Sequence, residues 1–193
     1  MRKRLGLLFM VCGLALLLAV AGLLLHNPLE DRHAASAAQQ LVLEMEDQLK
    51  DADGRTGGLD TEMTVALING RPCVGILSIP AIERLLPVMA ELKDEYLREA
   101  PCRYAGSSKT DDLVVAGHNY RNHFGPLDNL RPGDEVYLTD MDGRTTRYEV
   151  TDTEVLMGTD VEKMTDGSAD LTLFTCTYSG TGRITVRCDK SMS

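Results

Sequence analysis

Hydrophobic and polar positions divide this chain into stretches of different period. After the basic tip Met1-Arg2-Lys3-Arg4, positions 5 to 25 carry no charged residue. At a helical rise of about 1.5 Å per residue, such a run is long enough to cross a bilayer core. Pro28 is then expected to break the helix. From Leu29 to about Lys50, Ala34, Ala38, Leu41, Met45 and Leu49 recur near helical spacing with acidic residues between them. That pattern predicts a second helix, either a stalk or a helix packed on the domain that follows. Asp51 to Asp60 is polar and Gly-rich and reads as a linker.

From Thr61 the pattern is mostly that of strands. Cys73 to Ile79 predicts a strand stopped by Pro80, and Glu83 to Val88 a shorter one interrupted by Pro87. Lys93 to Glu99 predicts a short helix ended by Pro101, and Asp112 to Ala116 a buried strand. Glu135 to Thr139 and Thr146 to Val150 flank Asp142-Gly143, a dipeptide favoured in tight hairpins. Thr151 to Leu156 continues that strand, and Asp170 to Cys176 and Arg183 to Cys188 close the domain. Short strands joined by short turns predict a mostly β fold: a closed β-barrel of about eight strands with short helices, preceded by a transmembrane helix and a stalk helix. The expected organisation is a basic tip and membrane anchor over 1–28, a helical stalk and linker over 29–60, and a globular β domain over 61–193.

Charge fixes the expected compartment. Basic residues precede the apolar run and Glu30 and Asp31 follow it, which places the N-terminus inside and the rest of the chain outside the cell membrane. The rival is a cleaved signal peptide with Ala35-Ser36-Ala37 as its processing site. Signal h-regions are shorter, and that site lies beyond charged residues, so a single-pass anchor is the preferred reading. A net charge of −9 argues against nucleic acid as a partner. With 5% aromatic residues and no Trp, a stacked-Trp carbohydrate platform is also disfavoured. The five cysteines leave at least one thiol unpaired. Cys73, Cys102, Cys176 and Cys188 outside the span are compatible with two disulfides or with small buried hydrophobes. No C-x-x-C occurs and the four histidines are scattered, so nothing in the spacing suggests a metal site.

Three residues carry candidate chemistry. Cys176 ends an apolar strand and is followed at once by the loop Thr177-Tyr178-Ser179-Gly180-Thr181-Gly182. A thiol there is either a nucleophile or a buried structural group. His118 follows Gly117 at the carboxyl end of Leu113-Val114-Val115-Ala116, as a general acid or a surface histidine; His123 is the weaker choice. Arg183, Thr185 and Arg187 share one face of the last strand. Arg183, nearer the loop, can hold a carbonyl oxygen or oxyanion, or be a solvated edge charge.

Together these segments resemble a known family. Thr172-Leu173-Phe174-Thr175-Cys176 resembles the TLxTC signature of sortases, and Arg183-Ile184-Thr185-Val186 the strand bearing their arginine. Leu113 to His118 resembles the strand that ends in their Gly-His, and Gly75 to Pro80 with Pro87-Val88 is similar to their opening strands. The resemblance implies a sortase-like barrel and a cysteine transpeptidase that needs no metal or organic cofactor. Cys176 would attack an LPxTG-like sorting motif of a surface protein between Thr and Gly. His118 would protonate the leaving amine, and Arg183 would hold substrate and oxyanion. Thr175 would line the groove and Arg187 would contribute to substrate binding. An amine from a cell-wall precursor or a pilin lysine would resolve the thioacyl enzyme. The loop beginning at His118 looks closest to class B-like members. The interval from Cys176 to Arg183 is short, which implies a groove wall reduced or supplied elsewhere. Other readings are a cysteine protease, a peptidoglycan L,D-transpeptidase, or an anchored non-enzymatic binding domain.

Overall fold

The computed structural model describes residues 2–51 and 61–191; most of the expected linker lies outside the described residues. The helices expected on either side of Pro28 are one helix, α1 (Arg2–Asp51). Proline removes a single intrahelical hydrogen bond, and here strongly helical stretches on both sides carry the helix past it. The apolar run lies in this helix, although many of its side chains fall outside the described residues. Among those described, no helix is long and apolar enough to cross a membrane.

The second half of α1 does not stand away from the domain. Ala34, Ala38, Leu41, Val42 and Met45 are buried. Leu41, Val42 and Met45 pack with Ile68, Cys73, Ile76 and Met89 of the sheet. The helical period read from the sequence is therefore the docking face of a packed helix.

Strands follow in the order β1 (Ala66–Ile68), β2 (Arg71–Ile79), β3 (Arg84–Met89), β4 (Cys102–Ala105), β5 (Leu113–Gly117), β6 (Glu135–Asp140), β7 (Thr145–Met157), β8 (Leu171–Cys176) and β9 (Gly182–Lys190). Short helices α2 (Asp94–Leu97) and α3 (Val161–Met164) interrupt them. The sheet runs β1-β2-β3-β4-β5-β8-β9-β7-β6, and β6 pairs back onto β2. Eight strands thus form a closed barrel, with β1 extending the β2 hairpin beyond the point where β6 takes over. Pro87 sits inside β3 because the strand needs a partner mainly on its β2 side; its pairing to β4 is the single step Met89 to Cys102.

The interior is filled by Leu77, Ile79, Val88, Leu113, Val115, Phe124, Leu138, Tyr148, Leu171, Leu173 and Val186. Burying each of the larger of these contributes roughly 1.5–3 kcal/mol. All five cysteines are free thiols, so neither disulfide allowed by the sequence is formed. Strand β4 and helix α3 had no counterpart in the periodicity of the sequence. Both are too short to show a period of their own.

Candidate active site

Alternation along β8 separates two faces. Leu171 and Leu173 belong to the barrel interior, whereas Phe174 belongs to a cluster on the outer face with Val114, Ala116, Leu156 and Met164. Cys176 follows Phe174 by two residues and shares its face. On the antiparallel neighbour β9, Arg183 is the register partner of Cys176, Thr185 of Phe174, and Arg187 of Thr172. Directly opposed side chains in such pairs have Cβ atoms about 4.5–5.5 Å apart. Strand β5 lies parallel on the other side of β8, with Gly117 opposite Thr175. The next residue, His118, therefore stands at the level of Cys176. Cys176, Arg183 and His118 come from three adjacent strands to one end of the outer face.

Local packing fixes each of them. A Cβ on Gly117 would meet the Phe124 ring at 2.5 Å, so the glycine makes room for that ring rather than for the imidazole. Phe124 is fully buried, and its N–H donates to the His118 carbonyl at 3.2 Å, tying the loop after β5 back to the strand end. The His118 imidazole packs on Tyr120, with ring centroids 4.8 Å apart and planes inclined by 37°. Tyr120 in turn lies 5.5 Å from the His123 ring. His123 is fully buried, and burial pushes its pKa down to about 4, so it is a neutral core histidine.

The loop between β8 and β9 is compact. Thr177 N–H donates to the Gly182 carbonyl at 3.0 Å, and Gly182 N–H donates to Thr177 Oγ1 at 3.1 Å. Arg183 Nη1 donates to the carbonyls of Gly180 at 3.3 Å and Gly182 at 3.0 Å. These bonds orient the guanidinium and use only one of its nitrogens. Among the described residues Nε and Nη2 keep donors that a substrate oxygen can accept. Cys176 is half-buried at the strand end. Cys73 and Cys102 are fully buried and inert by comparison, their thiols pushed up by burial to about 11 and about 12.

Two residues expected at the groove are placed elsewhere. Thr175 alternates to the inner face: it is 1% exposed, and its buried Oγ1 has no hydrogen-bond partner among the described residues. One step along a strand reverses the side, so a neighbour of the nucleophile in sequence lies behind it in space. Arg187 lies on the outer face but is 7% exposed, and its guanidinium is turned onto the protein itself. The residues not read from the sequence are Tyr120 against His118, and Tyr104, whose ring meets Phe174 edge-on at 5.2 Å. The i, i+2 spacing of Phe174 and Cys176 was the available signal for an apolar floor running up to the thiol. Among the described residues no group of three or more His, Cys, Asp or Glu is placed to hold a metal ion.

Comparison with known proteins identifies the family and the fold. A model of the sortase domain matches residues 77–191. Among solved structures, sortase A from Corynebacterium diphtheriae is 18% identical, covers 87% of this chain and 94% of its own, and superposes with a TM-score of 0.59. Sortase C1 from Streptococcus suis is 26% identical over 66% of this chain and 77% of its own, with a TM-score of 0.55. A Clostridium perfringens sortase D5 transpeptidase is 17% identical over 81% of this chain and 97% of its own, with a TM-score of 0.59. A comparison with curated proteins finds no match. The family match spans more than half of the chain, including the strands that carry Cys176, Arg183 and His118, and this chain belongs to the sortase domain family.

Proposed function

We propose that this protein is a cysteine transpeptidase that cleaves an LPxTG-like sorting motif and passes the acyl fragment to an amine. A transpeptidase-type activity is supported by the family and the fold. The observation that carries the finer reading is the register of Cys176 with Arg183, with His118 at the end of the adjoining strand.

In this reading the Cys176 thiolate attacks the carbonyl carbon between Thr and Gly of the motif. A C–S bond forms and the C–N bond breaks, with His118 giving its proton to the departing amine. The nitrogens of Arg183 not held by the loop stabilise the oxygen on which charge develops. An acceptor amine, from a cell-wall precursor or a pilin lysine, then attacks the thioester. Its C–N bond forms, the C–S bond breaks, and His118 takes up the proton. Residues on the acyl side of the cut would run along the outer face toward the segment bearing Met164, which covers the apolar cluster of Val114, Ala116, Leu156 and Phe174.

The same reading places the enzyme on the outer face of the cell membrane, anchored by the apolar half of α1 with its N-terminus inside. Met10, Val11, Leu14, Leu16, Leu17 and Leu18 are exposed on that helix, an apolar surface that a bilayer would cover. Sharing one surface with an anchored substrate raises the effective concentration of each reactant.

The test is to incubate the full chain in detergent with LPxTG-like peptides and amine acceptors, and to follow the mass of the peptide bearing Cys176. An acyl adduct that transfers to the amine supports the proposal. Hydrolysis at unrelated sequences would make the protein a protease instead. Absence of an adduct with every peptide would leave only a binding role.

A further inference from the structure

Helix α3 has four residues, and only Met164 among them is buried. So short a helix does not hold its shape by itself. Arg187 supplies what holds it. Its Nη1 donates to Thr172 Oγ1 on β8 at 3.1 Å and to the Met164 carbonyl at 3.4 Å. Its Nη2 donates to the Lys163 carbonyl, and Nε and Nη2 both donate to Glu154 Oε1 on β7 at 3.2 Å. Asp166 Oδ1, just beyond the helix, lies 3.9 Å from Nη1. One guanidinium thus joins two barrel strands to the last carbonyls of α3, the end of a helix where a cation is favoured.

What α3 covers is the outer face of β8. Met164 packs there with Phe174, Val114, Ala116 and Leu156. The Thr172–Arg187 pair lies four residues along the sheet from Cys176–Arg183, about 13 Å at strand rise. An extended peptide reaching away from the thiol spans the same distance with its four acyl-side residues. We propose that Arg187 is a positioning residue: it latches the β7–β8 connection over the outer face of β8, and so sets the affinity for acyl-side residues of the peptide. This rests on the transpeptidase reading above. A lysine cannot replace it fully, because a single ammonium cannot reach β7, β8 and the helix carbonyls together.

The test compares the full-length wild type with Arg187→Met, Arg187→Lys and the milder Glu154→Gln. In Arg187→Met, amide exchange over 158–170 is expected to speed up roughly tenfold while β5, β8 and β9 keep their protection. KM for the sorting peptide is expected to rise roughly tenfold with kcat within about twofold, the signature of lost binding common to ground and transition states. The alkylation rate of Cys176 should not change, and Arg187→Lys should fall between. Should Arg187→Met not fold, Glu154→Gln is expected to show the same pattern more weakly. Unchanged exchange over 158–170 would overturn the latch, and faster exchange with an unmoved KM would overturn its role in affinity. A wild type that takes up no peptide on Cys176 would instead remove the transpeptidase reading, and this role of Arg187 with it. A wild type that loads and transfers normally confines any failure to Arg187.

Discussion

The ring of Phe124 occupies the space in which a side chain on Gly117 would have to begin, with 2.5 Å between the ring and an ideal Cβ. The contact matters for chemistry because Gly117 is the last residue of β5 and His118 follows it. Replacing Gly117 by Ala should overpack the site and cost about 1–3 kcal/mol. Activity should fall as well, since the ring is tied through its backbone to the His118 carbonyl. Denaturant midpoints and kcat/KM check this. The double variant Gly117→Ala with Phe124→Leu should recover part of the stability if the ring is the cause.

Thiol reactivity should separate Cys176 from its buried counterparts. Burial raises the pKa of Cys73 to about 11 and of Cys102 to about 12, and pushes Cys188 up too. At neutral pH these three stay protonated and enclosed. Alkylation of the folded chain in detergent followed by peptide mapping should label Cys176 readily, and Cys73, Cys102 and Cys188 only in denaturant. Early labelling of Cys73, Cys102 or Cys188 would contradict the packing described.

The roles of Arg183 and Cys176 are separable by substitution. Cys176→Ala should abolish adduct formation while changing stability by no more than about 0.5 kcal/mol, because the residue is half-buried at a strand end. Arg183→Lys keeps the charge but loses the fork. If the guanidinium stabilises the oxyanion, kcat should fall by about 10²–10³ with KM much less affected. An equal loss in binding alone would assign Arg183 to the ground state.

Thr175 provides the opposite test. Its hydroxyl is buried on the inner face with no partner among the described residues. Thr175→Val keeps the shape and removes a desolvated polar group, so stability should be unchanged or rise by up to about 1 kcal/mol. KM should not move. A raised KM would return Thr175 to the substrate groove.

His123 should make the fold sensitive to mild acid. Its pKa is lowered to about 4 by burial, with Asp31, His118 and Arg84 as the neighbouring charges, while an unfolded histidine titrates near 6.5. Between these values the unfolded chain binds the extra proton, so the stability this group contributes is complete above about pH 6.5 and is lost as pH falls toward 4. The total loss is roughly 3 kcal/mol. Unfolding curves against pH should show the slope in the wild type, and His123→Phe should flatten it.

Much of this molecule was legible along the chain because its information is local. Apolar runs stopped by Pro80, Gly117 and the loop after Cys176 mark strand ends by backbone geometry alone. A strand that ends in a cysteine, a short turn and a strand that opens in an arginine also set the Cys176–Arg183 register, since a tight connection leaves little freedom in pairing.

Tertiary structure decided the rest. A period of two says that Thr175 and Cys176 face opposite ways, but only closure of the barrel says which side is the core. The role of Arg187 was hidden for a related reason. Its main carboxylate, Glu154, lies 33 residues away in sequence, and its helix carbonyls belong to a segment too short to announce itself. The docked half of α1 shows the same division: its apolar spacing was plain, but the surface that buries it is assembled from strands distant in the chain. Local periodicity determined which residues could meet. The closed sheet, by bringing β5, β8 and β9 side by side, determined that Cys176, Arg183 and His118 lie at one end of it.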